Sequence, residues 1–264
     1  MTMLVRPIAV ALLFVAVSAI PSYGTEPFNL SELQKAYAAN NRDDLPLVSW
    51  MDWGMPKFLL YPDGSLLAED LHSKSRLAIA RLSGEELNDV LKKLSATDAF
   101  WLLSPSYELT KRSDHPQHVI TVRIPGKSTF SVSVYGNLSP KMDDEVQPPP
   151  AFLGFIAALS SVTPERMVPW DPGYVEIIWA DYGYAPDPSL PWPEEWPGLN
   201  SPFARHGDDL IKAILVFPSS HLKELDAFLA RRRECGAILI NGKKMSGHYR
   251  WPLPGEKKWS SWTW

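Results

Sequence analysis

A single cysteine, Cys235, in a chain of 264 residues rules out any intramolecular disulfide, so packing alone must hold the fold. No apolar run reaches the roughly twenty residues that a membrane-spanning helix needs. The longest covers residues 8–20 and ends at Pro21. Charge of one sign is not concentrated either: 26 Lys and Arg stand against 30 Asp and Glu, for a net charge of −4. The densest basic cluster, Arg231-Arg232-Arg233, falls where a helix C-terminus favours cations, so there is no basic footprint and no nucleic-acid partner is expected. Gly-x-Ser-x-Gly, Walker A, HExxH, EF-hand and CxxC patterns are all missing, which leaves the standard enzyme and metal signatures without a representative. No cofactor and no metal site are expected.

The N-terminus, by contrast, is informative. One positive charge, Arg6, precedes the apolar run, and Pro21-Ser22-Tyr23-Gly24 come after it. An n-region, an h-region and a small-residue cleavage zone make residues 1–24 an expected export signal, cut after Ala19 or Gly24. With no cysteine in that zone, a lipid anchor of the bacterial lipoprotein type is excluded. The expected location is periplasmic or secreted, with no integral membrane span once the signal is removed. The other unusual content is 25 Pro and 11 Trp, the proline share being about twice the average of roughly 5%.

Past the signal, residues 25–46 read as a short N-terminal helix and linker packed on the outside of the domain, with Asn29 as N-cap, Glu32 three residues on, and Leu30, Leu33 and Tyr37 on one side. Residues 47–53, 57–61, 65–69 and 76–82 read as strands, with Pro62-Asp63-Gly64 as a turn. Ser83-Gly84-Glu85-Glu86 is a capping box opening a helix whose Leu87, Val90, Leu91 and Leu94 share a face. Residues 119–124 and 129–135 alternate apolar and polar on either side of Pro125-Gly126-Lys127, a hairpin. Pro150 then opens a helix presenting Phe152, Phe155, Ile156 and Leu159.

An α+β unit over 47–163 is succeeded by a second over 164–264. The latter has strands at 174–182 and 210–217, a Pro/Trp-rich loop at 186–202, and a helix over 220–233 carrying Leu222, Leu225 and Leu229, with Gly236 as its left-handed cap. A hairpin through Asn241-Gly242 completes it. The expected fold class is α+β: antiparallel sheets with packed helices, in two ββαββ-like units that invite comparison as a pseudo-repeat.

The run Trp53-Gly54-Met55-Pro56-Lys57-Phe58-Leu59-Leu60-Tyr61-Pro62-Asp63-Gly64-Ser65 resembles the opening motif of an uncharacterised family of exported bacterial domains: a Gly, a Pro two residues on, an alternating apolar strand and an Asp-Gly turn. The resemblance covers roughly residues 47–163. It implies a strand, a helix, an acidic loop and a second hairpin after the motif, together with an export route, and it implies no activity.

Chemistry-bearing clusters are few. Asp114, His115 and His118 are the only tight acid-and-histidine group and hence the only local candidates for metal binding or acid–base use, although Pro116 stiffens the segment, a third or fourth ligand is missing nearby, and the bland reading is a polar loop with His118 entering a strand. Arg205-His206-Gly207 looks like the triplet of histidine phosphatases, but it precedes a strand rather than coming after one and reads as a polar loop. Cys235, beside Glu234 near a helix C-terminus, is expected to be a small buried residue.

Trp192, Trp196 and Trp251 are the binding candidates, since stacked indole faces accept sugar rings and polyproline helices. The competing role for Trp192 and Trp196 is to cover the core beneath the proline-rich loop. The expected function is an exported binding or envelope-associated interaction module with a glycan, peptide or envelope protein as partner. The alternatives are a hydrolase with an unrecognised site and a structural envelope protein.

Overall fold

Period-two alternation and turn chemistry build the first sheet. In the computed structural model, which describes residues 29–40, 44–69, 77–124, 128–139, 146–164, 166–207 and 212–256, this sheet has eight strands. The expected signal, the turn at 125–127 and the C-terminal Trp259, Trp262 and Trp264 lie outside the described residues. The strands are β1 (Val48–Asp52), β2 (Met55–Leu60), β3 (Ser65–Glu69), β4 (Leu77–Arg81), β5 (Ser106–Glu108), β6 (Gln117–Val122), β7 (Phe130–Tyr135) and β8 (Val168–Pro169). Their order is β5-β7-β6-β1-β2-β3-β4-β8.

The Asp63-Gly64 turn forms as its residues require. Gly64 has φ 82°, Asp63 Oδ1 accepts from the Ser65 amide at 2.9 Å, and a Cβ on Gly64 would collide with the Leu82 carbonyl oxygen. One face of the sheet, with Phe58, Leu60, Ile120, Val122, Val132 and Val134, is covered by two helices. Helix α2 (Gly84–Ser95) starts at the expected capping box: the Ser83 Oγ accepts from the Glu86 amide at 3.2 Å, and Glu86 Oε2 accepts from the Ser83 amide at 2.7 Å. Helix α3 (Pro150–Ser161) inserts Phe152, Phe155 and Leu159, and Phe155 stacks on Phe100 with centroids 3.9 Å apart.

The second sheet comprises β9 (Tyr174–Asp181), β10 (Asp187–Pro191), β11 (Ala204–His206), β12 (Ala213–Pro218), β13 (Gly236–Ile240) and β14 (Lys243–Arg250), in the order β10-β13-β14-β9-β12-β11. Helix α4 (Leu222–Leu229) packs Leu222, Leu225 and Phe228 into its core. The hairpin turn is as expected, with Asn241 and Gly242 both at positive φ.

Several expectations are corrected. The sheets are mostly antiparallel, yet β5 runs parallel to β7 and β10 parallel to β13. The Pro/Trp-rich loop thus contains a strand, because an edge needs only part of its backbone donors and tolerates proline there. Helix α4 stops at Leu229, leaving the three arginines in the turn beyond it, and Gly236 opens a strand instead of capping a helix. Cys235 is exposed: it lies in the turn between α4 and β13, where its amide donates to Asp187 Oδ2 at 3.3 Å. Arg205 and His206 belong to edge strand β11 and not to a loop.

The pseudo-repeat does not extend to topology. In the first sheet the hairpin after the helix joins the central strand through its leading strand, β6 on β1; in the second it joins through its trailing strand, β14 on β9.

The two sheets share their chain. β8 extends the first sheet beyond residue 163 by pairing with β4. Helix α1 (Leu30–Asn40) sends Leu33 into the core of the second sheet, and the Asn40 Nδ2 donates to the Tyr174 hydroxyl at 3.0 Å and to the Leu253 carbonyl at 3.4 Å. On the face of the first sheet away from α2 and α3, Leu59, Tyr61 and Leu67 pack against Leu253, while the Tyr61 hydroxyl donates to the Pro254 carbonyl at 2.8 Å. Among the described residues no helix is long and apolar enough to cross a membrane.

Candidate ligand-binding cleft

Alternation along β14 divides its side chains between two duties. Met245 and Tyr249 turn toward α4, whereas His248 and Arg250 turn the other way, as do Glu176 and Ile178 on the paired strand β9. That second face meets the back of the first sheet across a cleft of about 580 Å³. One wall is Gly54, Met55, Pro56 and Lys57 of the β1–β2 hairpin with Glu69 and Leu77; the other is Ile178, His248, Tyr249, Arg250 and Trp251, with Leu253 and Glu256 from the C-terminal turn. The volume falls within the roughly 300–1,000 Å³ of small-molecule sites.

Two local irregularities shape the first wall. The register of β1 and β2 shifts between Trp50 and Met51, leaving Lys57 as the extra residue of a bulge. Bulges re-aim side chains, and this one sends Lys57 Nζ to both Glu69 oxygens at 2.8 and 2.9 Å, with Asp52 Oδ2 at 3.9 Å. At the hairpin tip, Trp53 (φ 51°) and Gly54 (φ 72°) form a two-residue turn. A bulky non-glycine residue in that region is uncommon and strained, and Trp53 remains 53% exposed next to Gly54, which lines the cleft.

The second wall rests on an ion-pair chain. Glu176, whose side chain is 4% exposed, accepts from Arg205 Nη2 at 2.5 Å and from Arg250 Nη2 at 2.7 Å; Arg250 Nη1 donates to Glu256 Oε1 at 2.6 Å. Burial works against the Arg250 charge, but Glu256 and Glu176 outweigh it and hold its pKa above the ordinary arginine value. His248 has its pKa lowered, first by desolvation and then by the Arg250 cation, so it is neutral at pH 7. The charged groups lining the cleft are therefore paired, Lys57 with Glu69 and Arg250 with Glu256, and the cleft carries almost no net charge.

The structure disperses the candidates read from the sequence. Asp114 is exposed, with φ 61°. His115 donates its amide to the Tyr135 hydroxyl at 3.2 Å and sets its ring edge-on to Tyr135. His118 is buried on β6, with Nδ1 3.3 Å from Asp52 Oδ1 on β1. Asp52 is the partner that sequence reading missed, and only the register of β1 against β6 could have found it. Among the described residues no three His, Cys, Asp or Glu side chains form a group able to hold a metal. Trp192 and Trp196 are buried in the second core and offer no platform, whereas Trp251 is half-buried and lines the cleft.

The His118 pKa is lowered, chiefly by burial; Asp52 and the Gly136 backbone oppose that and Lys57 adds to it. Below the ordinary value of 6.5 the unfolded chain takes up a proton that the folded chain resists. Stability is thus intact above that pH and falls as pH drops through it. Urea unfolding is expected to show this loss as pH falls below 6.5, with a flatter slope in His118→Gln. Equal slopes would show that His118 does not carry it.

Comparison of the chain with protein-family models, with curated proteins and with solved structures gives no match. The class that fold and site define is a two-sheet α+β protein with a charge-balanced cleft that Trp251 helps to line.

Proposed function

We propose that this protein is an exported binding module taking a small, uncharged, amphipathic ligand in the cleft between its sheets. The observation that carries this reading is the cleft itself: aromatic and aliphatic walls with a few convergent polar groups whose charges already compensate one another. A charged ligand would have to compete with the fixed ion pairs, whereas a neutral one leaves them intact. A hydrolase reading finds less support, because neither His118 nor Asp52 lines the cleft and Asp52 reaches it only through Lys57, 3.9 Å away. Export rests on Arg6, the apolar run at 8–20 and the residues after it, and the resemblance of residues 47–163 to exported bacterial domains belongs to the same proposal.

The test is thermal unfolding of the protein against neutral oligosaccharides, proline-rich peptides and single amino acids. One class is expected to raise Tm by roughly 5–10 °C at a hundredfold excess over Kd. His248→Trp, which adds a ring to the cleft from an exposed position, should suppress the shift. A panel that moves nothing, or a shift unaffected by that variant, would overturn the reading. The exported form should begin after Ala19 or Gly24, and a cytoplasmic chain beginning at Met1 would remove the export part.

A further inference from the structure

We infer that the ligand is a neutral carbohydrate, with one pyranose ring against Trp251 in the cleft and the glycan continuing over Trp53 at the hairpin tip. This rests on the proposed binding cleft and adds the ligand's chemistry. Three observations point to it.

The first is the hydrogen-bonding balance of the lining. Lys57 donates to both Glu69 oxygens, while Arg250 donates to Glu176 and Glu256 through only two of its five N–H groups and its buried Nε has no partner. The carboxylates also keep lone pairs to spare: ionised Glu69 and Glu256 each offer about four acceptor directions, of which Lys57 meets two on Glu69, and Arg250 and the Leu253 amide meet two on Glu256. Neutral His248 presents one donor and one acceptor. Such a lining, with donors and acceptors both to spare, asks for an uncharged ligand that donates and accepts alike, which describes a polyol. A polyproline helix offers carbonyl acceptors only, so it could meet the spare Arg250 donors but would leave the carboxylate lone pairs and the His248 acceptor without a donor. An extended peptide would seek a sheet edge, and the cleft walls are sheet faces.

The second is the position of Trp53. Its turn needs positive φ at both central residues, and Asn, Asp or Gly would fill it without strain. The chain instead keeps an indole there, half in water, and the same turn supplies Gly54 and Met55 to the cleft wall. Met55, next along, is 63% exposed. The tight hairpin fixes the backbone beneath Trp53, so only side-chain freedom is lost on binding.

The third is the match of shapes. The C–H bonds on a pyranose face carry partial positive charge and meet the negative face of an indole, while the hydroxyls around the ring edge reach polar groups at the sides. The cleft provides Trp251 as a face and Glu69, His248 and Glu256 as edge partners, all from different strands and turns.

The experiment is isothermal titration of the protein with two tetrasaccharides, β-1,4-linked glucose and β-1,4-linked N-acetylglucosamine, with decaproline in parallel. At least one tetrasaccharide should bind and change the tryptophan fluorescence. Trp53→Ala and Trp251→Ala should each weaken binding about tenfold. Trp53→Phe should restore most of the affinity, and Trp53→Ala should unfold at the wild-type temperature because its ring packs in neither core. Affinity unchanged in Trp53→Ala would overturn its role at the rim. If a peptide or amino acid shifts Tm in the cleft while neither tetrasaccharide binds, the carbohydrate inference falls and the cleft reading stands. If nothing binds at all, both fall.

Discussion

Trp192→Ala is expected to lower the unfolding free energy by about 3–5 kcal/mol, the range for truncating a buried large aromatic side chain. The indole is only 7% exposed. Its ring meets Trp179, Trp196, Phe217 and Phe228 edge-on, with centroids 5.2, 5.0, 6.2 and 5.3 Å away. Its Nε1 donates to the Pro197 carbonyl at 3.0 Å, and its amide donates to the Leu239 carbonyl at 2.9 Å. One side chain thus joins the proline-rich segment to the second core. The neighbouring Trp179 sits so closely over Gly247 that a Cβ there would come within 2.5 Å of the ring, so the cluster has little room to collapse into a cavity. Urea unfolding followed by circular dichroism measures the loss. A change within roughly 0.5 kcal/mol, as for surface substitutions, would show that the segment is held by something else.

Glu176→Leu is expected to cost roughly 3 kcal/mol by a different route. Removing one partner of a buried ion pair leaves the other charge uncompensated, at about 3–5 kcal/mol. Here the low end applies, because the Arg205 and Arg250 side chains keep 34% and 27% of their surface in water and Arg250 retains Glu256. The distinguishing measurement is the double variant. Arg205→Leu added to Glu176→Leu removes the stranded cation, so the pair should be less destabilised than the two single effects summed. Simple additivity would show that Arg205 and Glu176 are not coupled.

Much of the fold was legible because the signals act over a few residues. The capping box at Ser83, the Asp63-Gly64 turn, the Asn241-Gly242 hairpin and the Phe152–Phe155–Leu159 stripe each depend on neighbours within one turn of helix or one strand end. The errors lie where distant chain decides. Gly236 comes after a helix and so reads as its cap, but residues 187–191 arrive parallel to it and draw it into a strand. Proline density argued for a loop at 186–202, yet an edge position removes most of the penalty for proline in a sheet. Asp114, His115 and His118 are neighbours in sequence, while strand geometry turns His118 to Asp52 and leaves Asp114 exposed. The candidate site was almost invisible: Trp251 alone was named, because Lys57, Glu69, His248 and Glu256 share no spacing that sequence can read.

The sequence by itself determined the α+β class, most of the strands and helices, the reliance on packing over disulfides, and the near-neutral charge, since composition and local periodicity carry all of these. Only the tertiary structure decided which faces the strands present, how the two hairpins enter their sheets, and that the backs of the two sheets enclose a cleft. Those outcomes depend on register and on long-range contacts, and a register shift of one residue, such as the bulge at Lys57, moves a side chain from one environment to another without leaving any mark in composition or spacing.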